Sequence, residues 1–117
     1  MAFKFENLKV WQMSLDLSLE IHALTRSFPK DELFILTSQI KRAADSVTLN
    51  ITEGSTLQSD NEFKRFLIYA NRSALEVVGS LYPGKGRSLI NKVDFDKLNK
   101  SYEKLVAMIQ ALIRSLE

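Results

Sequence analysis

An all-α fold, and within that class an antiparallel up-down four-helix bundle, follows from three features of this sequence. Only four glycines and two prolines punctuate its 117 residues, so little of the chain can be turn. Apolar residues recur at steps of three and four through four successive stretches, the mark of helices with one buried face. Nowhere do apolar and polar residues alternate as they would along a half-buried strand. A chain of this size builds one core and hence one domain, spanning residues 1–117. Four one-sided helices joined by short turns bury their stripes best as an up-down bundle.

The first helix is expected from about Asn7 to Ser27. Val10, Leu17, Ile21, Leu24 and Phe28 share a face that Trp11 and Leu15 widen. Phe28-Pro29 stops it, because the residue before a proline avoids the helical region. Asp31 and Glu32 then stand where a new helix favours negative charge. The second helix is expected to run from there to Glu53, with Leu33, Leu36, Ile40, Ala43, Val47 and Ile51 as its stripe. Gly54 fits the residue just past its end, where a left-handed backbone is easiest for glycine.

Ser59 and Glu62 have the spacing of a capping box and open the third helix. Its stripe is Phe63, Phe66, Leu67, Ala70, Ala74, Val77 and Leu81, and the run Pro83-Gly84-Lys85-Gly86 is expected to end or break it. Asp94 is the expected N-cap of the last helix, where Leu98, Tyr102, Leu105, Ile109, Leu112 and Leu116 alternate spacings of four and three.

Composition narrows the function classes. The absence of cysteine excludes disulfides and thiolate metal sites, and makes an intracellular, cytoplasmic setting the expectation. Met1–Val10 carries Lys4, Glu6 and Lys9 without an apolar run, which is not the pattern of a signal peptide. The longest purely apolar run, Leu105–Ile109, is far short of the roughly 20 residues of a membrane span. Net charge is only +2, but it is unevenly spread: residues 31–60 are acidic in balance and residues 61–117 basic. No acid occurs between Glu76 and Asp94, a span that holds Lys85, Arg87 and Lys92. Such a run is either solvated surface or a phosphate-facing patch.

Catalytic signatures are missing. His22 is the single histidine, beside an apolar stripe and with no second histidine to build a metal site, so it is expected to be structural. Gly79–Gly86 satisfies the phosphate-loop pattern up to its last position, where Gly86 replaces the hydroxyl residue that would bind magnesium. That loop also needs a preceding strand, and here a helix precedes it. No Glu-x-x-His occurs for a di-iron bundle site. Neither enzyme nor cofactor is implied.

One polar stripe is more informative. Gln39, Arg42, Ser46, Asn50 and Glu53 fall on one side of the second helix at steps of 3, 4, 4 and 3. They form either an exposed face or a hydrogen-bonded seam against a neighbouring helix or subunit, where Arg42 and Glu53 could satisfy one another. Arg65, Tyr69, Arg72 and Glu76 offer a matching edge on the third helix. Leu49, Ile68, Leu75 and Val78 fit neither apolar stripe and point to a protein interface.

Trp11-Gln12, then Phe28-Pro29-x-x-Glu32, and above all Gln39-Ile40-Lys41-Arg42-Ala43-Ala44-x-Ser46 followed by Asn50-Ile51-x-Glu53-Gly54, resemble a known family. These are the four-helix-bundle proteins encoded by intervening sequences in bacterial large-subunit (23S) ribosomal RNA genes, whose relatives include the accessory variability protein of diversity-generating retroelements. The resemblance covers essentially the whole chain. Arg72 departs from it, standing where the family has glycine, and so does the Pro83–Gly86 run.

The resemblance implies an up-down bundle, a homopentameric barrel, no enzymatic activity and an RNA or DNA partner. In the retroelement branch it also implies a reverse transcriptase as partner. Two functions from different classes follow. In the first, clustered cations contact nucleic-acid phosphates: Lys85, Arg87 and Lys92 first, then Lys97, Lys100 and Lys104 on the last helix, and Lys64 with Arg65 at the start of the third. Tyr82 is the one aromatic well placed beside them, too few for a single-strand stacking surface, which favours structured or nonspecific nucleic acid. In the second, the chain is a homo-oligomeric scaffold for a protein partner.

Overall fold

The structure, a computed structural model, describes residues 3–117. Met1 and Ala2, the start of the stretch that lacks a signal-peptide pattern, lie outside the described residues. Four long helices dominate: α1 (Lys9–Thr25), α2 (Ser38–Ser55), α3 (Asp60–Gly86) and α4 (Lys92–Ser115). Short 3₁₀ turns at Lys4–Asn7 and Lys30–Glu32 precede α1 and α2, and a π-helical turn at Leu33–Thr37 leads into α2. At 1.5 Å per residue the 27-residue α3 is about 40 Å long, which sets the 43 × 22 × 22 Å dimensions.

Cross-helix bonds give the directions. Trp11 reaches Thr52, Ser14 is bonded by Thr48, and Ser18 and His22 both meet Asp45, so α1 and α2 run antiparallel. Ser46 meets Ser73, while Gly54 faces Phe63 and Phe66, so α2 and α3 do the same. α2 and α3 share the largest contact, α1 and α4 close the bundle, and α2 and α4 stand at opposite corners.

The stripes meet at the centre. Ile21, Ile40, Val47, Ile51, Leu67, Val77, Leu81, Tyr102, Leu105 and Ile109 are almost wholly buried. Leu33 is the exception among the expected core residues, being half exposed. The cause is the π turn, whose Ser38 N–H reaches back five residues to the Leu33 carbonyl. One extra residue per turn rotates everything upstream relative to the α2 stripe. Leu36 and Thr37 stay inside, while Leu33, Phe34 and Ile35 turn outward.

Three expectations at helix ends are corrected. Gly54 is not a left-handed terminator. It is buried inside the last turn of α2, and no glycine has positive φ among the described residues. A Cβ there would stand 2.7 Å from Phe66 Cβ, so glycine permits the close approach of α2 and α3. The Pro83–Gly86 run does end α3, at its last residue, but Pro83 itself neither ends nor breaks the helix, which continues through it. The stop comes one turn later, where the Ser88 N–H bonds Lys85 O and the Leu89 N–H bonds Gly84 O. That is a Schellman closure, with Ser88 at φ 61° in the left-handed position. Asn91, not Asp94, caps α4, its Oδ1 accepting from the Asp94 N–H at 2.8 Å. Ser59, by contrast, caps α3 with the serine half of the expected capping box, accepting from the Glu62 N–H at 3.1 Å, while the Glu62 carboxylate pairs with Arg65.

Candidate functional site

The α1–α2 contact carries most of the buried polar chemistry. Trp11 Nε1 donates to Thr52 Oγ1 at 2.8 Å, and Thr48 Oγ1 donates to Ser14 Oγ at 3.0 Å. Ser18 Oγ and His22 Nε2 converge on one oxygen, Asp45 Oδ1, at 2.7 and 2.9 Å. The three residue types of a hydrolase triad are therefore present, but the order is wrong. The serine and the histidine each bond the carboxylate, whereas nucleophile activation requires the imidazole to take the serine's proton. The cluster ties two helices together. Among the described residues, no group of three or more His, Cys, Asp or Glu is arranged to hold a metal ion.

The polar stripe of α2 divides along its length. Ser46 and Asn50 are half-buried: Ser46 Oγ lies 2.9 Å from Ser73 Oγ, and Asn50 Nδ2 donates to the Ser46 carbonyl and hydroxyl at 2.8 and 3.0 Å. Gln39, Arg42 and Glu53 are exposed, and Arg42 donates to Ser38 Oγ at 3.3 Å instead of meeting Glu53. Within one chain the seam reduces to Ser46, Asn50 and Ser73. Ser73 has no signal in the helical periodicity; its one signal in the sequence is the resemblance of Ala70-Asn71-Arg72-Ser73-Ala74-Leu75-Glu76 to the family's third-helix motif.

Beside that seam lies an apolar outer face. Leu49 is 63% exposed, Leu75 56% and Ile68 42%. Ile68 and Leu75 follow one another at seven residues on α3, as Arg42 and Leu49 do on α2, while Tyr82, seven residues beyond Leu75, lays its ring edge-on to Phe95 of α4 at 5.0 Å. Each pair marks a line along its helix of the kind that meets a partner helix. Antiparallel pairing places Leu49 level with the Ile68 end of α3, and Arg42 beside Glu76 in a shallow cleft with Phe34, Ile35, Ser38 and Gln39. Arg72 flanks the face, its guanidinium 6.0 Å from the Tyr69 ring centre. Val78 sits differently, half-buried at the edge of the core.

The cations expected to face phosphates fall into two groups. Lys85, Arg87 and Lys92 share an acid-free span of sequence but do not sit on one loop. Lys85 is in the last turn of α3 with its ammonium 4.6 Å from the centre of the Phe95 ring, and Arg87 is the C-cap of that helix, bonded to Glu32 Oε1 at 3.0 Å. Lys92 opens α4 and pairs with Asp96 at 2.7 Å, a contact that raises the lysine's pKa and lowers the carboxyl's. Arg65 is likewise engaged, by Glu62 at 2.6 Å and by the Phe66 ring at 5.1 Å. Lys64 is half-buried beside it. Lys97 pairs with Glu20 of α1 at 3.3 Å. Lys100 and Lys104 are exposed on the same line of α4 and make no ion pair among the described residues.

Similarity to known proteins agrees with this architecture. A crystal structure of a protein of unknown function from the S23 ribosomal protein family of Bacteroides thetaiotaomicron superposes with a TM-score of 0.80. That alignment covers 89% of this chain and 97% of the other at 21% identity, a likeness of fold. No curated protein matches the chain. The pattern that defines the "23S rRNA-intervening sequence protein" family matches residues 6–111, nearly the whole bundle. The chain belongs to the 23S rRNA-intervening sequence protein family.

Proposed function

We propose that the protein is a non-catalytic, self-assembling binding protein whose ligand is nucleic acid. The observation that carries this reading is the outer α2–α3 face, where Ile68 and Leu75 stand exposed seven residues apart on α3 and Leu49 stands exposed beside them on the antiparallel α2. Single exposed aliphatics are ordinary, but an aligned set on neighbouring helices marks a contact with another polypeptide. A face confined to one side of an elongated bundle suits a head-to-tail contact that closes into a ring, and the family resemblance favours five subunits. Lys97, Lys100 and Lys104 lie on α4, at the corner opposite α2, so this association leaves them accessible to phosphates. Light scattering after size exclusion tests the assembly, and a monomeric mass across the micromolar range would end this reading. A salt titration of RNA and DNA binding by wild type and by a Lys97/Lys100/Lys104→Ala variant tests the ligand. Each phosphate neutralised contributes a slope near −0.9 on duplex DNA, so the variant should show a flatter dependence.

The engaged state of Lys85, Arg87 and Lys92 favours a second reading, a scaffold that holds a protein partner without nucleic acid. It predicts the same assembled mass and no binding of either nucleic acid at about 50 mM salt, a condition at which phosphate contacts are strong.

A further inference from the structure

The turn between α1 and α2 encloses a cleft of about 340 Å³ lined by His22, Arg26, Lys30, Lys41 and the hydroxyl residues Thr25 and Thr37, with Phe28, Pro29 and Leu33 completing its walls. No carboxylate lines it. Arg26, Lys30 and Lys41 make no ion pair among the described residues. Lys41 is the half-buried one of the three. The cations are not occupied in closing α1 either. Its last carbonyls are bonded by the N–H groups of Arg26, Ser27 and Phe28 and by the Thr25 hydroxyl.

Thr37 is buried, its Oγ1 has no partner, and it also lines a second cleft of about 360 Å³. That second cleft shares His22, Leu33, Thr37 and Lys41 with the first and adds Phe34, Ser38, Arg42 and Asp45. Phe34 is 89% exposed, the most exposed of the large hydrophobic side chains described. The π turn that directs Leu33 outward also carries Phe34, which lines the second cleft with Lys41 and Arg42; such turns recur at functional sites.

The geometry points to a nucleotide-unit site of single-stranded nucleic acid, with the phosphate in the acid-free cleft and the base stacked on Phe34. An aromatic platform beside a cationic groove is how proteins hold single strands. Asp45 orients the unit, since its charge repels phosphate from the second cleft while its free oxygen and Ser38 can bond a base edge or ribose hydroxyl. Volumes of this size are within the range of small-ligand sites. The polymer rests on the function proposed above, whereas the preference for a phosphate ester rests on the lining of the cleft alone.

Fluorescence anisotropy with a labelled single-stranded adenylate octamer, and calorimetry with AMP, test the site in the full-length protein. Phe34→Ala should weaken octamer binding by about tenfold, the loss of one base stack, without changing its salt slope. An Arg26/Lys30/Lys41→Ala variant should flatten that slope by about 0.7 for each phosphate it no longer neutralises on a single strand, and should abolish AMP binding. If both variants bind the octamer as wild type does, the site is wrong and the nucleic-acid function stands. If AMP binds through these residues and no nucleic acid does, the site stands and the polymer is wrong. Binding of neither probe overturns the site. So does a change in assembled mass for Phe34→Ala, which would assign the ring to a subunit contact. Circular dichroism of each variant checks that the helices persist, and Lys41→Arg, which keeps the charge, should retain AMP binding.

Discussion

Single residues in this bundle are placed under visible physical tension, and two of them give predictions of known sign. Ser88 holds φ 61°, where an L side chain costs about 1–2 kcal/mol relative to glycine. Glycine at that position would relieve the clash but would enlarge the unfolded ensemble, offsetting about 0.5–1 kcal/mol. Ser88→Gly is therefore expected to stabilise the protein by about 0.5–1 kcal/mol, the difference between the two effects, measured as a raised denaturation midpoint with an unchanged slope. Tyr102 is the second case. Its ring is in the core, and its hydroxyl has no partner. Burial pushes its phenol well above the usual tyrosine range, with the carboxylates of Glu20 and Asp45 adding to the effect. A group with a raised folded pKa contributes stability that is whole below its unfolded pKa, about 10, and is lost as pH rises past it. Tyr102→Phe should thus leave the thermal midpoint at pH 7 unchanged or raise it by about 4 °C, the equivalent of 1 kcal/mol in a domain of this size. It should also remove part of the stability loss expected of wild type as pH rises above about 10. A variant that melts lower at pH 7 would mean that the hydroxyl finds a partner in solution.

At the scale of whole helices, glycine plays opposite roles at two sites. Gly54 lies where α2 meets α3, and a methyl group there would collide with Phe66 Cβ at 2.7 Å and approach Phe63 Cδ1 at 3.1 Å. Neither atom is the free end of a flexible chain, so overpacking of about 1–3 kcal/mol exceeds the helix-propensity gain of about 1 kcal/mol. Gly79, by contrast, has nothing within 4 Å of the same added atom and sits well inside α3. Gly54→Ala is expected to destabilise and Gly79→Ala to stabilise by about 0.5–1 kcal/mol, and paired urea melts read both signs. The four helices and their stripes are legible because burial of one face imposes the 3.6-residue period on the sequence itself. The π turn is not, since one inserted residue leaves steps of three and four intact and shows only in that Leu33 faces outward. Pro83 misleads for a related reason. Its effect on α3 is local, but the helix ends where the Schellman bonds at Ser88 and Leu89 form and Ile90 folds against Gly84, contacts that a residue-by-residue reading does not contain. Asn91 and Asp94 are both good caps by type, three residues apart, and only the observed bond between them decides which one opens α4. The cationic cleft is invisible in the sequence because Arg26, Lys30 and Lys41 belong to separate segments and form no run.

On the scale of the molecule, polarity and assembly are linked. The Arg87–Glu32 ion pair joins the α1–α2 connection to the α3–α4 connection, so Arg26, Lys30, Lys85, Arg87 and Lys92 all belong to one end of the bundle. The α2–α3 turn near Gly54 forms the other end, where Glu53, Asp60 and Glu62 sit among Lys64 and Arg65. A ring built through the α2–α3 face would align these ends and gather weak cationic sites at high effective concentration. That makes assembly the property on which affinity depends, and it can be attacked without touching the core. Leu49 and Leu75 are both more than half exposed in the single chain, so charge at these positions need not disturb the fold. In a subunit contact the same charges would be buried without a partner, at a cost of several kcal/mol. A Leu49→Glu/Leu75→Glu variant is therefore expected to keep the helical circular dichroism and the thermal midpoint of an isolated bundle while running as a monomer where wild type is assembled. Its nucleic-acid affinity should fall by about 10² or more, the typical share that multivalency supplies, although no cation has been removed. An unchanged assembled mass would show that the subunits meet elsewhere, and an unchanged affinity in a monomeric variant would show that one chain's cations are sufficient.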